Sequence, residues 1–209
     1  MIKKNILIIL FLIFSNFAFS NINVSIVEGA SGLVYENGKE TPYSGIYQLY
    51  HPEKKFLISE QVFKNGLLKE ETRYDLENGK ITDLRIYEGD GVVYKNSYGK
   101  LNKDYRVYSI RYHNNGNKQN EGLWSHYSDS NGRIGAIGVH KIYYPNGSLW
   151  IESNHIDSQN VSEKRFRLDG SIESESSYID LKRNGIFKYY DENGKLMKIK
   201  VYRNDIEIN

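Results

Sequence analysis

The chain of 209 residues contains no cysteine, only three prolines and only two methionines. Without cysteine it can form no disulfide, has no thiol nucleophile and offers no cysteine for lipid attachment. A chain of this length without disulfides must be held together by packing or by stacking of its own elements. Disulfide-stabilised scaffolds and thiol enzymes are therefore excluded.

The sequence also lacks an excess of charge of either sign. It has 28 Lys plus Arg against 26 Asp plus Glu. Removal of an N-terminal segment containing Lys3 and Lys4 would leave 26 of each. A nucleic-acid partner would require a basic stripe, so we expect none. Short mixed clusters such as Lys69-Glu-Glu71 are interpreted as solvated strand edges or loops.

Long apolar runs are confined to the N-terminus. Lys3 and Lys4 precede an apolar run from Ile6 to Phe14, and the small residues Ala18 and Ser20 follow it. This layout predicts a secretory signal peptide over residues 1–20, cleaved before Asn21. The alternative is an uncleaved anchor, but the run is shorter than the about 20 residues that span a bilayer. We therefore expect export to the periplasm, the cell surface or the medium.

Motifs for catalysis and for cofactor binding are missing as well. The sequence contains no His-Glu-x-x-His, no Gly-x-Ser-x-Gly, no P-loop and no Gly-x-Gly-x-x-Gly. His113, His126, His140 and His155 are spaced at 13, 14 and 15 residues, so they could align and bind a metal ion. Ordinary strand and turn positions are the better interpretation, because metal ligands must also converge. We expect no enzymatic activity, no cofactor and no metal.

What the chain does contain is a repeated hairpin pattern. Between Ile142 and Glu152, two short apolar arms meet at Asn146-Gly147, a pair suited to the positive φ values of a tight turn. With Pro145 and Asn146 as the central residues of a type I turn, Gly147 occupies the left-handed bulge position and Tyr143 faces Leu149. One such hairpin is marginal in water, so the pattern predicts stacked copies.

The same pattern of an aromatic, a polar turn with glycine and then an aliphatic recurs along the chain. From Gly79 onward, turn glycines stand at 79, 99, 116, 132, 147, 170 and 194. A second glycine is expected to open the next strand pair, and aromatics follow it, as at Gly45, Gly91, Gly122, Gly138 and Gly185. These two signals together predict a loose array of β-hairpins.

The array resembles the bacterial variant of the MORN repeat. The best unit, Gly185 to Tyr202, contains Tyr189-Tyr-Asp-Glu-Asn-Gly-Lys-Leu196, although Ile199 stands where the repeat has Glu. The unit from Gly138 to Glu152 is one residue shorter but keeps the acidic residue. The resemblance implies an all-β fold, an elongated antiparallel meander of stacked hairpins over residues 32–209 after a linker at 21–31.

The resemblance also implies a scaffold or binding role. Proteins with this repeat are often labelled YwqK-type antitoxins, so a neutralising, immunity-like function is one alternative. Membrane-lipid binding is another, although a neutral chain has little attraction for anionic headgroups. The leading interpretation is a non-enzymatic exported protein that binds another protein or a cell-surface component.

Aromatic residues supply the candidate binding surface. The chain has 18 Tyr and two Trp, and tyrosine suits a thin sheet because its ring packs while its hydroxyl stays in water. Most tyrosines are therefore expected in the core of the repeats. Because Tyr and Trp also dominate binding hot spots, we predict a docking surface at Trp124, Tyr127, Tyr144 and Trp150. Strict alternation places Tyr127 and Trp124 on opposite faces unless a bulge intervenes.

Overall fold

The computed structural model describes residues 24–29, 31–89, 91–93, 105–125, 135–156 and 159–208. These residues form strands and turns, and none of them is helical. Within these ranges no helix has the length and apolar character needed to cross a membrane. The predicted signal peptide lies outside the described residues.

Seventeen strands are assigned in the described part of the chain: β1 (Ile26–Glu28), β2 (Val34–Glu36), β3 (Gly45–Tyr50), β4 (Leu57–Lys64), β5 (Leu67–Tyr74), β6 (Ile81–Tyr87), β7 (Val92–Val93), β8 (Arg106–Tyr112), β9 (Lys118–Ser125), β10 (Gly135–Tyr143), β11 (Leu149–Ile156), β12 (Gln159–Phe166), β13 (Ile172–Ile179), β14 (Lys182–Arg183), β15 (Gly185–Tyr190), β16 (Leu196–Arg203) and β17 (Ile206–Ile208).

Fifteen of these strands form one antiparallel sheet. Its order is β17-β16-β15-β13-β12-β11-β10-β9-β8-β6-β5-β4-β3, with β14 paired to β13 and β7 paired to β5. Each strand along this path pairs with the next strand in the chain except where β7 and β14 are passed over. The predicted all-β hairpin meander is confirmed. Residues 21–31, expected as a linker, include β1, which pairs with β2 in a separate two-stranded sheet.

The predicted turn geometry is confirmed at the hairpin between β10 and β11. Gly147 N donates to Tyr144 O at 2.9 Å, Gly147 has a φ of 91°, and Tyr143 pairs with Leu149. The same donor pattern closes the turns at Gly116, Gly170 and Gly194. Because a type I turn with a left-handed glycine fixes the register, these hairpins repeat one local geometry.

Side chains connect neighbouring turns on one side of the sheet, where β8, β10, β12 and β15 end. This side is called the turn edge here. Asn117 Nδ2 donates to Pro145 O at 2.7 Å, and Tyr144 Oη donates to Phe166 O at 3.0 Å. Arg167 continues the series by donating to Tyr190 O. Each turn thus supplies a carbonyl to the turn before it, which explains how hairpins that are marginal alone hold one another.

Two of the glycines expected to open strands lie inside them. Gly122 is within β9 and Gly138 is within β10. Between Ile137 and Lys141 the register of β10 against β9 shifts, so that three residues of β10 oppose Gly122 alone. The prediction is therefore wrong at these two positions, because the glycines serve a bulge and not a strand start.

The register divides the sheet into two faces. The face that carries Gln61, Ser109, Trp124, Ser153 and Phe187 is called the groove face here. The opposite side is called the charged face. It carries one row across six strands in which acidic and basic residues alternate: Glu121, Lys141, Glu152, Lys164, Glu175 and Lys188. Such exposed pairs contribute about 0–1 kcal/mol each, so they favour this register more than they stabilise the sheet.

Most buried apolar side chains lie on the groove face. Val107, Ala136 and Ile151 belong to the middle strands, and larger aromatic clusters lie near the two ends of the sheet. Val34, Phe63 and Leu68 form the N-terminal cluster, where β2 covers β4 and β5. At the other end, the Phe187 ring contacts Tyr202 with centroids 4.9 Å apart. The sheet is therefore packed at both ends and more open between them.

The interpretation of Lys69-Glu-Glu71 as a solvated strand edge is wrong for Glu71. Glu71 is only 6% exposed and lies on the groove face of β5, an interior strand. Its carboxylate accepts from Arg73 at 3.1 Å and from Arg85 at 3.4 Å. Arg73 lies two residues along the same strand, but Arg85 comes to lie opposite Glu71 only after β5 pairs with β6. The sequence cluster alone could therefore not reveal this site.

Replacement of Gly147 tests the turn geometry. Gly147→Ala is expected to lower the free energy of unfolding by about 1–2 kcal/mol, because its φ of 91° is costly for a residue with a Cβ. The Gly147→Asn variant should lose less, since asparagine tolerates left-handed backbone better than alanine does. Urea unfolding of the three proteins measures the order, and equal stability of the glycine and alanine forms would contradict the assignment.

Candidate functional site

A groove of about 420 Å³ lies on the groove face between the two packed ends. It runs across β8 to β12, and its lining includes Ser109, Trp124, His140, Ser153 and Asn160. All of these reach one side because the register brings alternate residues of five strands to the same face. The groove is thus a product of strand pairing.

His140 forms one wall of the groove through the bulge in β10. A Cβ built at Gly122 would lie 2.3 Å from His140 Nδ1, so the imidazole occupies the space that any larger residue would fill. His140 Nε2 donates to Leu123 O at 2.7 Å. Gly122 is therefore required for the ring to lie flat on β9, and the hydrogen bond fixes its orientation.

Three aromatic rings meet at this wall. The Trp124 and His140 rings are 4.9 Å apart at 89°, and the His140 and His155 rings are also 4.9 Å apart. Burial lowers the pKa of His140 below its ordinary value of 6.5. Burial, and next to it the charge of His140, lowers the pKa of His155. Both imidazoles are consequently neutral at pH 7.

Two buried polar atoms in the groove have no hydrogen-bond partner among the described residues. They are His155 Nδ1 and Asn160 Oδ1. The other polar atom of each side chain does have a partner. His155 Nε2 is hydrogen-bonded to Ser153 Oγ at 2.9 Å, and Asn160 Nδ2 donates to Glu163 at 3.3 Å. His155 on β11 pairs with Asn160 on β12 across the strands, so the two atoms lie in the same part of the groove. Buried polar atoms of this kind are normally satisfied, and these two are thus candidates for ligand contact.

The charged residues that border the groove are each paired. Arg111 contacts Asp83 at 3.5 Å, and Glu163 is held by Arg165 at 2.6 Å. Lys141 and Glu121 border the groove from strand positions on the charged face. Lys141 contacts Glu152 at 3.8 Å, and Glu121 is held by Lys118 at 2.6 Å. The groove therefore presents polar groups without a strong net charge of either sign.

A second depression of about 310 Å³ adjoins the groove on the same face. It shares Glu163 with the groove and continues across β12, β13 and β15 to Tyr178 and Tyr189. Tyr189 is exposed, as is Trp124 in the first depression. Trp124 and Tyr189 stand five strand spacings apart, about 24 Å, and are offset by about 13 Å along the strands, because Tyr189 is level with Asn120. The two depressions therefore form one elongated surface.

The structure divides the predicted docking residues between two places. Trp124, 40% exposed, lines the groove. Trp150, 38% exposed, packs on Tyr144 with ring centroids 5.6 Å apart at the turn edge. Trp124 pairs with Ala136 at the opposite end of β10 from Tyr143, about 20 Å away along the strand. Tyr127 lies outside the described residues.

Sequence reasoning missed most of the groove. His155, Asn160 and Glu163 stand in a degenerate stretch without a clean turn, and only strand pairing places them beside His140. Among the described residues, no three His, Asp or Glu side chains converge to hold a metal ion. The spacing of His140 and His155 near one repeat was the one signal that could have indicated their contact.

Stability should depend on pH through these two histidines. In the unfolded chain they take up protons near pH 6.5, whereas in the folded protein they remain neutral to lower pH. The free energy of unfolding is therefore expected to have its full value above about pH 7 and to decrease as the pH falls below 6.5. Urea midpoints at pH 7.5 and 5.5 measure the decrease. A His140→Gln, His155→Gln variant should show a smaller difference, and an unchanged difference would rule out these histidines as its source.

Comparison with known proteins finds one family. A family model described as the MORN repeat variant matches residues 137–157 and 183–204, which hold the β10–β11 and β15–β16 hairpins. No curated protein matches the chain. A crystal structure of a protein of unknown function from Bacteroides fragilis NCTC 9343 aligns at 9% identity, over 78% of this chain and 95% of that chain. The TM-score of this alignment is 0.16.

Proposed function

Because the chain carries MORN-variant repeats at two places, we propose that it is an exported, non-enzymatic repeat protein whose groove face binds another protein or a cell-surface component. The groove across β8 to β12 is the observation that supports this proposal best. It combines an exposed tryptophan with buried polar atoms that lack partners, which is the usual composition of a binding site.

The absence of enzymatic activity is part of the same proposal. At the groove, the carboxylates of Glu121 and Glu163 are engaged by basic partners at 2.6 Å. Both carboxylates are thus committed to ion pairs, and the nearby His140 Nε2 is bound to a backbone carbonyl. These contacts favour binding over acid–base catalysis.

Export is supported by the layout of residues 1–20, with two lysines, an apolar run and small residues before Asn21. A partner in the envelope or outside the cell is consistent with that route. Binding to anionic lipid has weaker support, because the residues at the groove are charge-paired and the chain is close to neutral.

The proposal is tested by capture of partners from envelope extracts with the purified protein and two variants. Trp124→Ala removes the groove tryptophan, and Trp150→Ala removes the tryptophan at the turn edge. Loss of a captured component with Trp124→Ala alone supports the groove. Loss with Trp150→Ala alone moves the site to the turn edge. Capture that is unaffected by both, or binding to anionic vesicles that disappears in salt, contradicts the groove proposal. Circular dichroism establishes that each variant is folded.

A further inference from the structure

We infer that the groove binds an uncharged saccharide, with His155 Nδ1 and Asn160 Oδ1 hydrogen-bonded to a hydroxyl of the sugar and Trp124 against its ring. This inference rests on the proposed binding function and names the ligand class. It is carried by three independent observations: the two buried polar atoms, the pairing of the charged residues, and the position of the aromatic side chains.

The two polar atoms match a hydroxyl in particular. His155 Nδ1 donates when Ser153 Oγ donates to Nε2, and it accepts in the other tautomer, whereas Asn160 Oδ1 only accepts. A hydroxyl both donates and accepts, so it satisfies this pair in the first tautomer and bridges two acceptors poorly in the second. Each of these side chains is anchored at its other end, which fixes where the two atoms point. Both atoms are closed to solvent, so a neighbouring side chain of the groove must move aside to admit the hydroxyl.

The charges favour a neutral ligand. Arg111, Lys141, Glu121 and Glu163 each face an opposite charge within 4 Å. A carboxylate, a phosphate or an amine would compete with one of these pairs, and the rearrangement is easiest at the exposed Arg111 and Lys141. The histidines add no charge at pH 7, because burial lowers the pKa of both. A ligand whose polarity comes from hydroxyls requires no such rearrangement.

The aromatic side chains match the apolar side of a sugar ring. Trp124 is held by its edge-to-face contact with His140 and remains 40% exposed. Its indole can cover the C–H side of a pyranose while the hydroxyls reach the polar floor. The second depression, with Tyr189 five strands away from Trp124, extends this surface beyond the length of one monosaccharide. An oligosaccharide is therefore the preferred form of the ligand.

The chain provides its own reporter for the test. It contains only two tryptophans, so Trp150→Phe leaves Trp124 as the single one. In this background the purified protein is titrated with glucose, galactose, N-acetylglucosamine and their β-linked disaccharides, and with glycerol as a hydroxyl compound without a ring. We expect a saturable change of Trp124 fluorescence with at least one neutral disaccharide and none with glycerol. Glucuronate and glucosamine should bind more weakly than their neutral counterparts.

Two variants locate the binding site. Asn160→Ala removes the acceptor and His155→Phe removes both ring nitrogens while keeping an aromatic ring, and each should weaken binding about tenfold. Asn154→Ala is the matched control, because Asn154 lies between Ser153 and His155 but on the charged face. It should leave binding unchanged.

Three outcomes overturn the inference: no saturable change with any sugar at tens of millimolar, equal response to glycerol, or equal weakening by Asn154→Ala. The two proposals fail separately. If no sugar binds but Trp124→Ala still abolishes capture from extracts, the groove is a binding site and its ligand is not a saccharide.

Discussion

Phe63→Ala is expected to lower the free energy of unfolding by about 3–5 kcal/mol, the range for truncating a fully buried phenylalanine. Phe63 is 1% exposed and packs with Val34 and Leu68. Its ring also contacts Tyr43, with centroids 6.0 Å apart. The loss should be large because this cluster joins β2 to β4 and β5, and a thin sheet has little other material that could fill the cavity.

The effect should also be local. In a repeat array each unit contacts mainly its neighbours, so the loss of one cluster destabilises its own end first. Amide hydrogen exchange in β3 to β5 should therefore accelerate far more than in β15 and β16. Ile186→Ala, at a position 53% exposed on the charged face, is the control and should cost less than about 1 kcal/mol. Uniform acceleration along the whole sheet would contradict nearest-neighbour stacking.

Glu71→Ala is expected to cost about 3 kcal/mol. Its side chain is 8% exposed and lies between Arg73 and Arg85. Removal of the carboxylate leaves Arg85 without the residue that it pairs with across the strands, while Arg73 keeps Asp83 opposite it. A guanidinium that loses its partner in this way is costly. Breaking a buried ion pair typically costs about 3–5 kcal/mol. Because both arginines keep some contact with water, we expect a cost at the lower end of that range.

The matched control is another glutamate in the same sheet. Glu152 pairs with Lys141 at 3.8 Å on the charged face, and its side chain is 36% exposed. Glu152→Ala should cost no more than about 1 kcal/mol, as is usual for exposed ion pairs. Urea unfolding of both variants at pH 7.5 measures the difference. Similar costs would show that burial of Glu71 adds nothing to its ion pairs.

These predictions describe a sheet stabilised unevenly. Buried clusters hold the two ends and side-chain hydrogen bonds connect the turns on one side. The centre of the groove face carries polar side chains beside the buried Val107, Ala136 and Ile151. The buried polar atoms of His155 and Asn160 that lack partners do not stabilise the fold and are difficult to explain by folding alone. The centre of the groove face is the part of the molecule to which we assign binding.

The local structure could be predicted from the sequence. Asn146-Gly147 specified a type I turn with a left-handed glycine, and the pairing of Tyr143 with Leu149 followed. This succeeded because a turn involves only four adjacent residues and glycine is favoured there for a known steric reason. The units at Gly99 and Gly132 lie outside the described residues, so those turns remain predictions.

The four docking residues stay a prediction, and the sequence did not reveal where they lie relative to one another. Trp124 was selected for its size, and the structure places it in the groove, but Tyr144 and Trp150 form a separate contact at the turn edge. Single residues are visible in a sequence, whereas the choice of which of them share a place depends on register. The bulge in β10 changes that register by two residues, and no turn signal marks it.

The sequence by itself determined that this protein is an all-β array of hairpins, because turn chemistry and aromatic–aliphatic pairs act over fewer than a dozen residues. Only the tertiary structure decided that Glu71 is buried between arginines and that His140, His155 and Asn160 line one groove. Those contacts join residues from different strands, and a one-residue change of register would move each side chain to the other face.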